Sequence, residues 1–315
     1  MSESGVIQYV AHKDIDRRKW DQCIDRSSNS LIYACSFYLD QMSKQWDALI
    51  MNDYEAVMPL PYKRKMGFYY IFQPFLTPVL GVFGENVSDT RVSRFLKAIP
   101  AKFKVRDISL NHLNSVDPQF SEQYARGNYV LSLQPSYESI RSHYSENIIR
   151  NISKAEKSGC LLKKNIPEKE IIELCKKEWP KFTRIQNGTF EDLAASYSAF
   201  HPYASSYGVY HPDGRLLASC VFLYHSCRHY YWLVGNDPQA KNFGASPMLI
   251  DGFIRDHAGS NSLLDFEGSD KSSIADFYQR FGARPEPYTT LYQNFLPFPL
   301  NHLKNTPVYY RSLTS

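Results

Sequence analysis

Residues 230–278 constrain this chain most, because within them the hydrophobic spacing passes from strand to helix and back to strand and helix again. Tyr230-Tyr231-Trp232-Leu233-Val234-Gly235 is aromatic and branched, as a strand is. Lys241-Asn242-Phe243-Gly244-Ala245-Ser246 reads as a turn, and Pro247 opens a helix that runs to about residue 258 and stops at Gly259. Residues 263–267 read as a second strand, with Leu264 and Phe266 on one face and Leu263, Asp265 and Glu267 on the other. After Gly268-Ser269-Asp270 a second helix carries Ile274, Phe277, Tyr278 and Phe281 on one face and ends at Gly282. Strands and helices that alternate in this way build layered α/β structure.

The rest of the chain supplies more layers. Strands are expected at 46–51, 55–62, 68–72, 107–113 and 128–133, and a helix at 88–99, where Val92, Phe95, Leu96 and Ile99 fall at helical spacing. A basic helix follows at 144–158, with Arg150, Lys154 and Lys157 opposite Ile148, Ile152 and Ala155. Segments 206–210, 216–224 and 230–235 then form a meander around the turns Pro212-Asp213-Gly214 and Ser226-Cys227-Arg228. The second half repeats the element order of the first. Two related α/β domains are expected, at 1–134 and 135–296, with a last strand at 288–295 and the tail 297–315 packed back on the first domain.

Composition removes several classes. The net charge of +4 is mild, and nucleic-acid binding usually shows a clustered basic face. No apolar run approaches the ~18 residues that span a membrane, and Met1-Ser2-Glu3-Ser4-Gly5 lacks the regions of a signal peptide. Cys23, Cys35, Cys160, Cys175, Cys220 and Cys227 are scattered, without a CxxC pair or a nearby histidine. Free thiols, no metal and a cytoplasmic location are expected.

Three places carry possible chemistry. The first turn of a helix presents unpaired N–H groups and the positive end of its dipole, so the segment from Lys241 to Ser246 suits an anion. Small Gly244 and Ala245 allow close approach, and Ser246 is a good N-cap. The same residues are also an ordinary way to begin a helix. Glu267, at a strand end before Gly268, suits a general base, or else an ion pair or a loop cap. Tyr278 suits a general acid, or else core packing.

The order strand, Lys241-x-x-Gly244-x-Ser246, helix, strand, then Ala275-x-Phe277-Tyr278-x-x-Phe281-Gly282-Ala283 resembles the core of the GNAT (N-acetyltransferase) superfamily. There the pyrophosphate-binding turn is usually Gln/Arg-x-x-Gly-x-Gly/Ala, from which Lys241 and Ser246 depart. A second resemblance covers most of the chain. Tyr129-Val130-Leu131-Ser132-Leu133, the helix with Arg150-Asn151-Ile152-Ser153-Lys154-Ala155, Asp265-Phe266-Glu267-Gly268-Ser269 and Phe281-Gly282-Ala283 are similar to the Fem family. Those are peptidoglycan-bridge aminoacyltransferases and their acyltransferase relatives.

The resemblance implies α/β (α+β) structure in two tandem GNAT-like domains, each a mixed, mainly antiparallel sheet flanked by helices. It implies acyl-CoA (acetyl-CoA) as co-substrate, held at Leu233, Val234, Lys241, Asn242, Phe243, Gly244, Ala245 and Ser246. It implies Tyr278 as general acid, with Glu267 or a water relay as base. Fem proteins usually carry Phe-Lys-x-x-Phe-Gly near the end, and Tyr278 stands in the lysine's place, which directs the expectation to an N-acyltransferase using acyl-CoA. The acceptor is a small molecule or a cell-wall precursor. Two readings stay beside it: an aminoacyl-tRNA-dependent transferase acting on a peptidoglycan precursor, and a non-catalytic GNAT-like binding module. In the former, Arg150, Lys154 and Lys157 help bind the anionic ligand, although a solvated helix face explains them more simply.

Overall fold

The computed structural model describes residues 5–117, 120, 122–179, 189–268 and 270–303. The chain divides into two compact units, Met1–Gly127 with Glu286–Ser315, and Asn128–Pro285. Each contains a mixed, mainly antiparallel sheet flanked by helices. Among the described residues no helix is long and apolar enough to cross a membrane.

The first unit opens with β1 (Ile7–Val10), α1 (Arg17–Arg26), α2 (Ser36–Met42), β2 (Trp46–Met51), β3 (Ala56–Lys65) and β4 (Phe68–Ile71). It continues with β5 (Phe83–Gly84), α3 (Asp89–Ala98), β6 (Phe103–Ser109) and β7 (Gln123–Arg126). Local chemistry explains the helix starts. Asp16 accepts the N–H groups of Arg18 and Lys19 and so caps α1, and Ser88 caps α3 by accepting from Arg91. Trp20 on α1 meets Trp46 on β2 with centroids 5.0 Å apart, and both are fully buried. The sheet runs β1-β2-β3-β4-β6-β15-β7, with β5 beside β3.

The second unit contains β8 (Tyr129–Ser132), α4 (Tyr137–Arg141), α5 (Glu146–Lys157), β9 (Leu161–Lys164), α6 (Glu168–Glu178) and α7 (Thr189–Phe200). The meander β10 (Ala204–Tyr210), β11 (Leu216–His225) and β12 (Arg228–Asn236) follows, then α8 (Ala240–Phe243), α9 (Ala245–His257), β13 (Leu263–Asp265), α10 (Ser272–Gln279) and β14 (Arg284–Pro285). The sheet order is β14-β8-β13-β12-β11-β10-β9. Helices α5 and α9 bury their apolar stripes against it, through Ile148, Ile152 and Ala155 and through Leu249, Ile250, Phe253 and Ile254. Phe222 of β11 stacks on Phe253 at 3.7 Å and 12°. Trp232 meets Phe200 of α7 at 5.3 Å.

The expected boundary moves at both ends. The strand at 129–132 pairs with β13 and β14, so it belongs to the second sheet rather than the first. The last strand, β15 (Tyr288–Asn294), pairs with β6 and β7, so it completes the first sheet and not the second. Beyond it, Leu300 of α11 (Leu300–Leu303) packs against Tyr70, Val105, Tyr124, Tyr292 and Leu296 in the first unit. The rest of the expected tail, 304–315, lies outside the described residues.

His229 of β12 is 9% exposed and packs edge-on against His257, with centroids 4.5 Å apart, and against Phe253. Burial, and then the charge on His257, lowers its pKa from 6.5 to about 3. The folded value lies below the unfolded one, so the stability that His229 contributes is whole above the unfolded value and is lost as pH falls toward the folded one. Wild-type stability in urea is expected to decline on acidification from about pH 6.5, and His229→Leu to flatten that decline. Urea midpoints taken at intervals down to about pH 4 check it, and parallel curves for the two proteins would refute it.

Candidate active site

The parallel strands β12 and β13 are joined only at their first residues, from Arg228 opposite Leu263 to Tyr230 opposite Asp265. Arg228 Nη1 lies 2.6 Å from Asp265 Oδ2 at this joined end, with side chains 9% and 5% exposed. Past it the strands part. Phe266 donates its N–H to Tyr129 O at 3.0 Å and so follows β8, while β12 continues beside β11 to Asn236. Among the described residues, β12 past Tyr230 has no strand partner on the edge toward β13, where a wedge opens between the two strands.

The ladder decides which groups line that edge. Asp237 donates to Leu217 O at 2.8 Å, next in register to the pair Ala218 and Asn236. The alternation of an antiparallel ladder then turns the backbone groups of Leu233 and Gly235 toward β11 and those of Val234 toward the wedge. Of the two strand residues expected at the donor, Val234 presents its N–H and C=O there, while Leu233 pairs with Val221.

Aromatic rings of the buried core pack beside the parting strands. Tyr278 of α10 stacks on Phe266 at 4.4 Å and 18°, and Tyr231 and Tyr129 stand 6.4 and 6.5 Å from it. Tyr278 is 9% exposed and Tyr231 5%. Neither hydroxyl makes a hydrogen bond among the described residues. Burial, and next the Glu267 charge, raises the Tyr278 phenol well above its ordinary pKa. Burial alone dominates the rise of Tyr231, with Cys220 and Tyr278 adding to it. Both phenols therefore keep their protons throughout the physiological range.

Glu267 reaches this place by a route that its sequence does not suggest. The strand ends at Asp265, two residues before the expected end. Asp265 Oδ1 accepts the N–H of Glu267 at 2.8 Å, an Asx turn, and Glu267 sits in the left-handed region at φ 59° before Gly268 at φ 81°. That conformation costs a non-glycine residue of order 1 kcal/mol. A continued strand would have set Glu267 on the Asp265 face, away from Phe266. The turn instead brings its charge near Tyr278 and near the fully buried Cys220, whose thiol is pushed up by burial and further by Glu267.

The expected pyrophosphate turn is also built differently. Lys241, Asn242 and Phe243 belong to α8, and Gly244 at φ 70° ends α8 and caps α9, which starts at Ala245. Ser246 is thus the second helical residue and Pro247 the third, rather than cap and first residue. Ser246 Oγ donates to Asn236 Oδ1 at 2.7 Å and ties α9 to the end of β12. Gly244 and Ala245 are buried, and a Cβ on Gly244 would lie 2.1 Å from Asn151 O. The close approach that glycine permits is taken by the backbone of α5. Phe243 packs edge-on against His211 at 4.7 Å, and Lys241 and Asn242 stay exposed beside it.

Of the residues singled out from sequence, Glu267 and Tyr278 stand near each other, and Val234 lies farther along β12, opposite Cys220 of β11. Tyr231, Tyr129 and Cys220 stand near Tyr278, and Trp179 donates its indole N–H to Val234 O at 2.8 Å; sequence reading passed over all four as site residues. The tyrosines read as ordinary strand residues, because their meeting depends on strand pairing.

No protein-family model matches the sequence, and no curated protein matches it. Solved structures share the fold. FemX aligns over 94% of this chain and 99% of its own, at 12% identity and a TM-score of 0.63. L-PGS from Bacillus licheniformis aligns over 95% and 97%, at 11% identity and 0.56. The C-terminal domain of a putative lysylphosphatidylglycerol synthetase from Agrobacterium fabrum aligns over 94% and 96%, at 9% identity and 0.51.

Gly244→Ala is expected to lose about 2–4 kcal/mol, from the left-handed backbone and from the clash with α5 together. Urea denaturation measures it, and a loss below about 0.5 kcal/mol would mean that α5 yields freely.

Proposed function

We propose that this chain, whose fold is the Fem-like GNAT fold of two tandem units, is an acyltransferase that moves an acyl group from acyl-CoA to an amine. The observation that supports the reading is the parting of β12 and β13, past which Val234 turns its N–H outward and Glu267 stands near the proton-holding phenol of Tyr278. A small molecule or a cell-wall precursor supplies the amine, and the reaction belongs in the cytoplasm.

The groups divide the work by their chemistry. The Val234 N–H polarises the carbonyl of the thioester as the amine nitrogen attacks its carbon. Glu267, directly or through a water, takes the proton that the nitrogen sheds. The carbon–sulfur bond breaks, and Tyr278 gives its proton to the departing thiolate. A phenol held protonated by burial suits this role better than that of a base. Lys241 at the surface, with the first turn of α9, supplies positive potential for a pyrophosphate, and the Asn242 amide beside it supplies a hydrogen-bond donor. Phe243, Gly244, Ala245 and Ser246 fix where that turn stands. Trp179, Cys220 and Tyr129 shape the wedge.

An aminoacyl-tRNA donor is the second reading, favoured by the exposure of Arg150, Lys154 and Lys157 together on α5. Its binding would weaken steeply with salt.

Calorimetry with acetyl-CoA is expected to show binding, and no heat at millimolar donor would favour tRNA or a non-catalytic module. Tyr278→Phe is expected to lower turnover, followed as thiol release with a panel of amines, by about 10²-fold or more. Donor affinity should stay within about twofold, since the phenol acts only as the sulfur departs. Unchanged turnover would remove Tyr278 from the mechanism.

A further inference from the structure

An unpaired strand edge is a binding surface for any extended chain that carries amides, because its N–H and C=O groups are spaced to accept a further strand. In the second unit, among the described residues, that edge lies along β12 past Tyr230, with Val234 facing outward. The arm of acyl-CoA that bears the thioester contains two amide groups and fits such an edge chemically. The edge is already occupied. Trp179 Nε1 donates to Val234 O at 2.8 Å.

Several contacts hold the indole there. Trp179 caps the C-terminus of α6, and Leu174 of the same helix covers Gly235, where a Cβ would lie 3.1 Å from Leu174 Cγ. The ring also packs at 5.9 Å against Phe190 of α7. Helix α6 is thus fixed over the far end of β12, and the residue that caps it, Trp179, reaches round to the edge. An N–H donor stands where an amide of the donor would otherwise pair, and the Val234 N–H on the same edge is left to the acyl carbonyl.

We infer that Trp179 is a built-in stand-in for the donor, displaced from Val234 O when an amide-bearing acyl donor binds along β12. This rests on the acyl-CoA reading given above. Trp179 then sets a threshold for donors that pair with the edge, and sets none for an ester donor that meets only the Val234 N–H. Trp179 touches the donor edge and not the reacting atoms, so it tunes affinity rather than the chemical step.

Trp179→Phe keeps a ring in place and removes the N–H. Calorimetry is expected to show that this variant binds coenzyme A about three- to tenfold more tightly than wild type, the worth of one competing hydrogen bond. In wild type labelled with ¹⁵N-tryptophan, the Trp179 indole N–H resonance is expected to shift as coenzyme A saturates. Equal or weaker binding by the variant, or an indole resonance unmoved at saturation, overturns the inference and leaves the acyl-CoA reading standing. Binding that shows only in the variant supports both. Absence of binding in both proteins, with melting curves showing that both are folded, overturns both.

Discussion

Asp265 sets the geometry on which the candidate site depends. Its Oδ2 meets the Arg228 guanidinium and pins β13 to the first residues of β12, and its Oδ1 takes the N–H of Glu267 and ends the strand. One buried carboxylate therefore joins two strands and turns the chain away immediately afterwards. Removal of either member of such a buried pair costs about 3–5 kcal/mol, because the other charge is left unanswered in a dry place. The wedge opens where that joining stops.

Burial does the remaining electrical work. Tyr278 lies between Phe266 and Phe277, near Tyr129 and Tyr231, with the Glu267 and Asp265 charges close by. Apolar rings and carboxylates raise its pKa together, so the hydroxyl stays a donor. The left-handed Glu267 is the strained member of the group, and residues held this way persist where surrounding structure over-determines them. Here the Asx turn and Gly268 hold it. A second buried group, Asp251 of α9, receives the Tyr137 hydroxyl at 2.9 Å and secures α4 to α9 behind the rings.

Much of the fold was legible because local patterns express it. The face of Ile148, Ile152 and Ala155 and the aromatic meander each produced the expected element. The strands at 129–132 and 288–294 were legible as strands, but their sheets were not, since pairing partners are chosen by the assembled fold and leave no local mark. Ser246-Pro247 is a true helix-start signal by propensity, overridden because Gly244 packs on Asn151 and lets α9 begin at Ala245, ahead of both. Tyr278 stood out by its helix face, and Glu267 by its place before a glycine. Trp179 could not be found, because 55 residues separate it from Val234 and a lone tryptophan after a helix carries no signal.

The place of β15 gives the chain a timetable. In the first sheet β15 lies between β6 and β7, and among the described residues β7 pairs with no other strand. The segment 128–285 is continuous, so on the ribosome its strands are all available as soon as Pro285 emerges. The N-terminal segment is made first and yet finishes last, with the edges of β6 and β7 unpaired until residues 288–294 arrive. A nascent chain halted in that interval exposes strand edges that a chaperone or a second nascent chain can occupy.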